Sequence, residues 1–311
     1  MTACTVMTWN VENLFPPGTA SGPPTKAIYQ RKLAYLAKII EGVAPDVLAL
    51  QEVGHPSALA DLQQALSSRY PYAATSEHAD PRGIRVAVLA RRQLTDVRQF
   101  HLFSGDALAG IPSADGQSLT AMSRGALHAV VRLPGNRSLR VVTAHLKSKL
   151  LSYPDGRRFP HDEHERARGA GFALLRRTAE AVALRVQMNV ALAGESTPSV
   201  LAGDLNDEAG AITTQLLQGP PDSAAARPDQ GDDVRLNNLA GWLPQKHNYS
   251  RMFNGNPELI DHILVSQELL RGLRQVDSLV DDIRSITEDV DSRKNATVPD
   301  HAPLFARFEV A

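Results

Sequence analysis

The segment Val200-Leu201-Ala202-Gly203-Asp204-Leu205-Asn206-Asp207 joins an apolar run to a glycine, then delivers a carboxylate and a carboxamide two residues apart. An apolar run of this length bounded by Gly and Asn reads as a buried strand, whose side chains alternate between faces. Asp204 and Asn206 then share one side of the chain at the strand's end. Gly203 lets a neighbouring backbone approach closely. An acceptor beside an amide donor suits a site that holds water against a phosphoryl group. Taken alone, Gly-Asp-x-Asn equally fits a turn capped by its own Asx side chains. The decision depends on whether other strands in the chain end the same way.

Outside this segment the composition is that of an ordinary globular protein. The chain has 311 residues, is 43% hydrophobic and 22% charged, and carries a formal net charge of −1. That charge excludes a global basic field of the kind that advertises nucleic-acid binding, though not a local patch. The single cysteine, Cys4, excludes an internal disulfide framework and a cysteine-rich metal site, and its apolar surroundings read as a buried, inert thiol. No apolar stretch is long enough to span a bilayer, and no basic-then-apolar leader opens the sequence, so a cytoplasmic protein is expected.

Working outward, strands are expected at 5–10, 46–53, 70–75, 85–90, 95–103, 260–265 and 302–310. A hairpin at 127–133 and 139–146 turns around Pro134-Gly135-Asn136. Helices are expected at 28–43, near 56–68, and over a long span from 162 to 192. Residues 16–24, 104–120, 152–162, 218–234 and 281–298 read as loops. Hairpins beside αβ units argue against a purely parallel sheet and for one domain, 1–311, with mixed sheets.

Six strands or strand-like runs end in a chemically capable residue: Asn10, Glu52, His145, Asp204 with Asn206, Asp261 with His262, and Asp300 with His301. Six such endings in a chain of modest charge suggest convergence on one pocket. Oxygen donors and imidazoles without thiolates favour Mg2+, with Mn2+ second, over zinc.

The strings Thr8-Trp9-Asn10-Val11-Glu12-Asn13-Leu14-Phe15, Leu50-Gln51-Glu52-Val53, Thr143-Ala144-His145-Leu146-Lys147, Gly203-Asp204-Leu205-Asn206-Asp207, Ile260-Asp261-His262-Ile263-Leu264 and Pro299-Asp300-His301-Ala302-Pro303-Leu304 resemble, in order and spacing, the signature set of the endonuclease/exonuclease/phosphatase superfamily. The resemblance implies an α/β (α+β) fold, a four-layer αββα sandwich of two mixed β-sheets flanked by helices, and divalent-metal phosphoester hydrolysis. It implies that Glu52 binds the metal, with Asn10 and Asp300 around it. By the same resemblance Asp204 activates water, Asn206, His145 and His301 contact the phosphate, and Asp261 orients His301. His145 is similar to the histidine of deoxyribonuclease-like members, where a glutamate supports it, and Glu77 stands where that glutamate is expected.

Simpler readings stand beside these. Asn10 and Glu52 could cap turns or helices. His262 points away from Asp261 and reads as structural. Lys147 fits a phosphate contact or a solvated side chain equally, and Arg85, Arg124, Arg157 and Arg158 are more ordinarily surface arginines. Glu12 and Trp9 read as local packing. For the whole chain the expectation is a phosphodiesterase or nuclease-type hydrolase acting on a phosphate ester, with nucleic acid as a candidate substrate. A small-molecule phosphatase or phosphodiesterase is the alternative. A sphingomyelinase or a catalytically inactive binding module ranks lower.

Overall fold

The computed structural model describes residues 1–103, 110–151, 153, 157, 159–193, 197–219, 234–287 and 293–310. Within them the chain runs β1 (Thr2–Leu14), α1 (Lys26–Val43), β2 (Val47–Val53), α2 (Pro56–Ala65), β3 (Tyr72–Thr75), β4 (Arg85–Ala90), β5 (Leu94–Leu102), β6 (Ala121–Leu133), β7 (Arg137–His145) and α3 (Glu163–Leu192). It continues with β8 (Ser199–Asp204), α4 (Ile212–Gln218), β9 (Leu236–Asn238), β10 (Arg251–Phe253), β11 (Asn256–Glu258), β12 (Asp261–Ser266), α5 (Gln267–Arg271), β13 (Leu273–Ser278) and β14 (Leu304–Val310).

Among the described residues these strands form two six-stranded mixed sheets, ordered β13-β14-β1-β2-β4-β3 and β5-β6-β7-β8-β12-β9, with β10 and β11 as a separate hairpin. In each large sheet one central pair is parallel, β1 with β2 and β7 with β8. The sheets stack face to face over Val6, Val47, Ala49, Val88, Val141, Val200, Ala202, Ile263 and Ala306. The far face of the first sheet packs on α1 and α2 through Met7, Trp9, Leu36, Ile40, Leu48 and Leu62. The far face of the second packs on α3 and α4 through Val142, Ala144, Leu184, Met188, Leu201 and Leu217. Central strands covered on both faces need apolar residues at nearly every position, which is why Leu48-Ala49-Leu50 and Val200-Leu201-Ala202 read as continuous runs.

Local signals set the helix ends. Thr25 Oγ1 accepts from the Ile28 amide at the start of α1, and Ala44 ends that helix in the left-handed region at φ 55°. Asp162 caps α3 by accepting from the Glu165 amide at 2.8 Å. Short elements whose pattern is too brief to read, namely α4, α5, β9 to β11 and β13, emerge only in three dimensions. The expected loop at 218–234 falls mostly outside the described residues, as do parts of the loops at 104–120, 152–162 and 281–298. No helix among the described residues is long and apolar enough to cross a membrane.

Candidate active site

Alternation carries the inner faces of the sheets directly into the site. Val6, Thr8 and Asn10 share the inner face of β1; Leu139, Val141, Thr143 and His145 share that of β7. Val200, Ala202 and Asp204 do so on β8, and Asp261, Ile263 and Val265 on β12. The apolar core between the sheets therefore ends in a layer of polar groups. Across the second sheet, His145, Asp204 and Asp261 are register partners on three adjacent strands. β12 runs antiparallel to β8, so its first residue meets the last residue of β8. Gly203 makes this row possible, because a Cβ there would lie 2.0 Å from the Ala144 carbonyl oxygen.

Asp204 is the meeting point. Its Oδ2 accepts from Asn10 Nδ2 at 3.0 Å across the gap between the sheets. The same oxygen lies 3.2 Å from His145 Nε2 and 4.0 Å from His301 Nε2. Oδ1 accepts the backbone N–H of Asn206, which closes the turn with φ 54°. Burial raises the Asp204 pKa, but His145, His301 and the Asn10 amide outweigh it and hold the carboxyl well below the ordinary range. A carboxylate so stabilised orients a water better than it strips a proton from one.

Glu52 departs from the parity of its strand, in which Leu48 and Leu50 face the helices, through left-handed backbone at φ 62°. Its two oxygens accept from Asn10 Nδ2 at 3.3 Å and from the Asn13 amide at 2.8 Å. Burial opposes its charge, but His145, Arg82, Arg124 and the Asn13 N–H bring its pKa down to about 2. His301 Nδ1 sits 2.6 Å from Asp261 Oδ2, and the Trp9 indole N–H donates to the His301 carbonyl at 2.8 Å. Burial works against the imidazolium, yet Asp261, Asp300 and Asp204 raise its pKa to about 10.

A scan against protein families matches residues 7–287 to the Endonuclease/Exonuclease/phosphatase family. The chain belongs to that family. Family members are phosphoester hydrolases, and the layered sheets and the row of polar strand ends agree with that membership. A comparison with curated proteins found no match. Solved structures of the same fold include the human Nocturnin catalytic domain with bound sulfate (18% identity, TM-score 0.59, covering 99% of this chain and 95% of that one). Truncated TDP2 from Caenorhabditis elegans superposes with TM-score 0.58 at 17% identity, covering 98% of this chain and 97% of that one. A mannosyl-6-phosphatase from Bacteroides thetaiotaomicron gives TM-score 0.61 at 15% identity, covering 97% and 98%. The family match stops short of Asp300 and His301, which the fold nonetheless brings beside Asp204 and Glu12.

For this endonuclease/exonuclease/phosphatase member, Asn10, Glu52, His145, Asp204, Asp261 and His301 come together as expected. Glu77 does not. Its side chain is exposed, its N–H is turned to Gln99 Oε1 at 2.7 Å, and His145 Nδ1 is buried with no hydrogen-bond partner among the described residues. The expected Glu77–His145 support is thus corrected: the turn after β3 (Thr75-Ser76-Glu77) points the carboxylate outward. Lys147 is also turned aside, its Nζ donating to the carbonyls of Leu150 at 2.6 Å and Ser148 at 3.2 Å. Asn206 Nδ2 donates to the Leu146 carbonyl. Asp300 is reached through its N–H, which donates to Glu12 Oε2 at 3.1 Å. His262 is structural as read, bonded to the Asp207 carbonyl and to Asn238. Arg85 donates to the Gly54 and Gly83 carbonyls, Arg157 pairs with Glu165, and Arg158 lies outside the described residues.

The donor chemistry fits a hard divalent cation at Glu52. The carboxylate is ionised, has no ion pair within contact distance among the described residues, and adjoins Asn13, whose Oδ1 is buried without a partner. Asn10 presents its amide N–H to both carboxylates, so in this arrangement it spaces Glu52 and Asp204. A second set of donors, Asp204, Asp261 and His301, has atoms within 4.8 Å of one another. His301 Nδ1 faces Asp261, which leaves Nε2 as the ring atom turned toward Asp204, at 4.0 Å.

Several site residues escape sequence reasoning. Glu180 is fully buried in α3 and accepts from Ser123 N at 2.7 Å, Ser123 Oγ at 2.6 Å, Lys147 N at 2.6 Å and Arg176 Nε at 3.3 Å. It ties the long helix to the segments that carry Arg124 and His145. Arg177 joins the same helix to Asp207 at 2.9 Å. Their signal is present but faint: Ala173, Arg177, Ala181, Leu184 and Met188 keep helical core spacing, and a charge inside that stripe needs a partner. Glu12 and Trp9, read as packing, both hold the segment that delivers His301.

Proposed function

We propose that this family member is a Mg2+-dependent phosphodiesterase of nuclease type, in which Asp204 aligns the attacking water. The observation that carries this reading is the single oxygen, Asp204 Oδ2, facing Asn10, His145 and His301 together. Glu52 would hold the cation, with Asn13 Oδ1 and the Asp300 carboxylate as further oxygen donors and Asn10 keeping the two acids apart. When bound, the cation supplies charge neutralisation on a non-bridging oxygen and on the leaving oxygen.

The chain's own groups do the rest by positioning and electrostatics. Asp204 accepts a hydrogen bond from the water, points its lone pair at phosphorus, and takes up the water's proton as the new P–O bond forms and the bond to the leaving oxygen breaks. His301, kept protonated by Asp261, stabilises charge growing on the phosphoryl oxygens. Asn206 has one amide N–H beyond its bond to Leu146 to offer the phosphate. His145 gives the proton to the leaving oxygen, without the glutamate once expected behind it. A small-molecule phosphatase is the second reading, favoured by the net charge of −1, which gives no long-range pull on a polynucleotide. Parallel assays with Mg2+ on bis(4-nitrophenyl) phosphate, 4-nitrophenyl phosphate and plasmid DNA test both. Diester and plasmid cleavage support the first reading, monoester hydrolysis alone supports the second, and no hydrolysis of any substrate rejects both.

A further inference from the structure

Beside Glu52 lies a cavity of about 70 Å3 walled by Glu12, Asn13, Lys32, Arg82, Arg293 and Lys294. A water needs only about 10–15 Å3 of such volume, so the space admits a tetrahedral oxyanion. In a chain with no net positive charge, four of these six side chains are basic and one is acidic. Glu12 and Arg293 hold each other through two hydrogen bonds, at 2.5 and 2.8 Å, and the carboxylates of Asp300 and Glu52 also act on Lys32 from beyond the wall. Lys32 is buried, and its ammonium has the Glu12 carbonyl as its only hydrogen-bond acceptor among the described residues. An ammonium has three N–H donors, and burial without acceptors is costly. Arg82 is open at the rim, its side chain 45% exposed and 3.9 Å from Asp80, a carboxylate that Arg124 holds closer at 3.0 Å. The cavity shares a wall with the catalytic groups, because Asn13 N bonds Glu52 and Glu12 N bonds Asn10 Oδ1.

We infer that this cavity is a second anion subsite, which binds a phosphoryl group of the substrate next to the one that is cleaved. The inference rests on the hydrolase reading above and narrows it: preferred substrates carry two phosphoryl groups. Those could belong to a nucleotide strand or to a sugar bisphosphate, since the recognising chemistry is the same. Arg82 supplies the planar fork that suits a phosphate, and Lys32 supplies the buried charge.

Calorimetric titration with Ca2+ in place of Mg2+ tests it on two ligand pairs: thymidine 3′,5′-bisphosphate against thymidine 5′-monophosphate, and glucose 1,6-bisphosphate against glucose 6-phosphate. The expected result is a bisphosphate preference of about ten-fold or more in one pair. The pair that shows it identifies the source. In Arg82→Gln and in Lys294→Gln that ratio should fall below about three-fold. A wild-type ratio near one in both pairs, or a ratio unchanged in both variants, overturns the subsite. Turnover of bis(4-nitrophenyl) phosphate, 4-nitrophenyl phosphate and plasmid DNA with Mg2+, assayed in parallel, separates the two claims, because a bisphosphate preference with none of the three hydrolysed keeps the subsite and rejects the hydrolase reading.

Discussion

His301 Nδ1 and Asp261 Oδ2 lie 2.6 Å apart, with the other nitrogen of the ring turned toward Asp204 at 4.0 Å. The imidazole is thus held between two acids, and the backbone that carries it is anchored by the Trp9 indole N–H, which donates to the His301 carbonyl. This pairing raises the His301 pKa to about 10 and favours its protonated form.

Replacing Asp261 with Asn removes the nearest of the charges that raise His301 to about 10. The imidazolium should then be lost at least about one unit lower, since an adjacent opposite charge is worth roughly 1–3 units. The alkaline limb of the pH–rate profile should move down accordingly, and an NMR titration of the His301 ring should show the same displacement. The sign for stability follows. The stabilisation from the raised pKa is complete below about 6.5 and disappears as pH rises through 10.

Glu52 gives the opposite pH dependence. Its folded pKa of about 2 lies below the ordinary 4.5, so its contribution is present above about 4.5 and lost as pH falls toward 2. Acid unfolding of Glu52→Gln should therefore be less steep over that window than that of the wild type, measured by the denaturant midpoint at a series of pH values.

Mg2+ should raise the melting temperature of the wild type, because a ligand of the folded state alone stabilises by about 2.7 kcal/mol at one hundred times its dissociation constant. Glu52→Gln should show little or none of that shift. An equal shift in both proteins would place the cation elsewhere.

Glu180→Ala should cost stability at the junction of α3 with the second sheet. It strands the Ser123 and Lys147 N–H groups that the carboxylate accepts, and a buried unsatisfied donor costs about 1–3 kcal/mol. A lowered urea midpoint with unchanged m-value is the expected readout, and Glu180→Gln should recover part of the loss.

Much of the fold and the core of the site were legible because both rest on period-two alternation. Val200, Ala202 and Asp204, or Val141, Thr143 and His145, announce a buried face that ends in chemistry. What stayed hidden depends on direction and on long-range pairing. Glu77 sits on a short turn whose exit angle no pattern encodes, so its position in the sequence suggests His145 while its side chain faces solvent. Glu12 meets Arg293 across 281 positions, and a lone charge in a strand gives no hint of a partner so far away. Glu52 and Asn206 reach their places through left-handed backbone, at φ 62° and 54°, where strand parity no longer predicts the face.

The central claim is that Asp204, at the junction of both sheets, aligns water for attack on a phosphate beside a cation that Glu52 would hold. Turnover of bis(4-nitrophenyl) phosphate by the wild type and by Asp204→Asn, each with Mg2+ and with chelator, tests it most directly. The expected result is wild-type hydrolysis that stops with chelator and returns with Mg2+, and a kcat lower by roughly 10²–10⁴ in the variant, with the Mg2+-induced rise in melting temperature retained. Hydrolysis by Asp204→Asn within a few-fold of wild type, or wild-type turnover indifferent to the chelator, would contradict it.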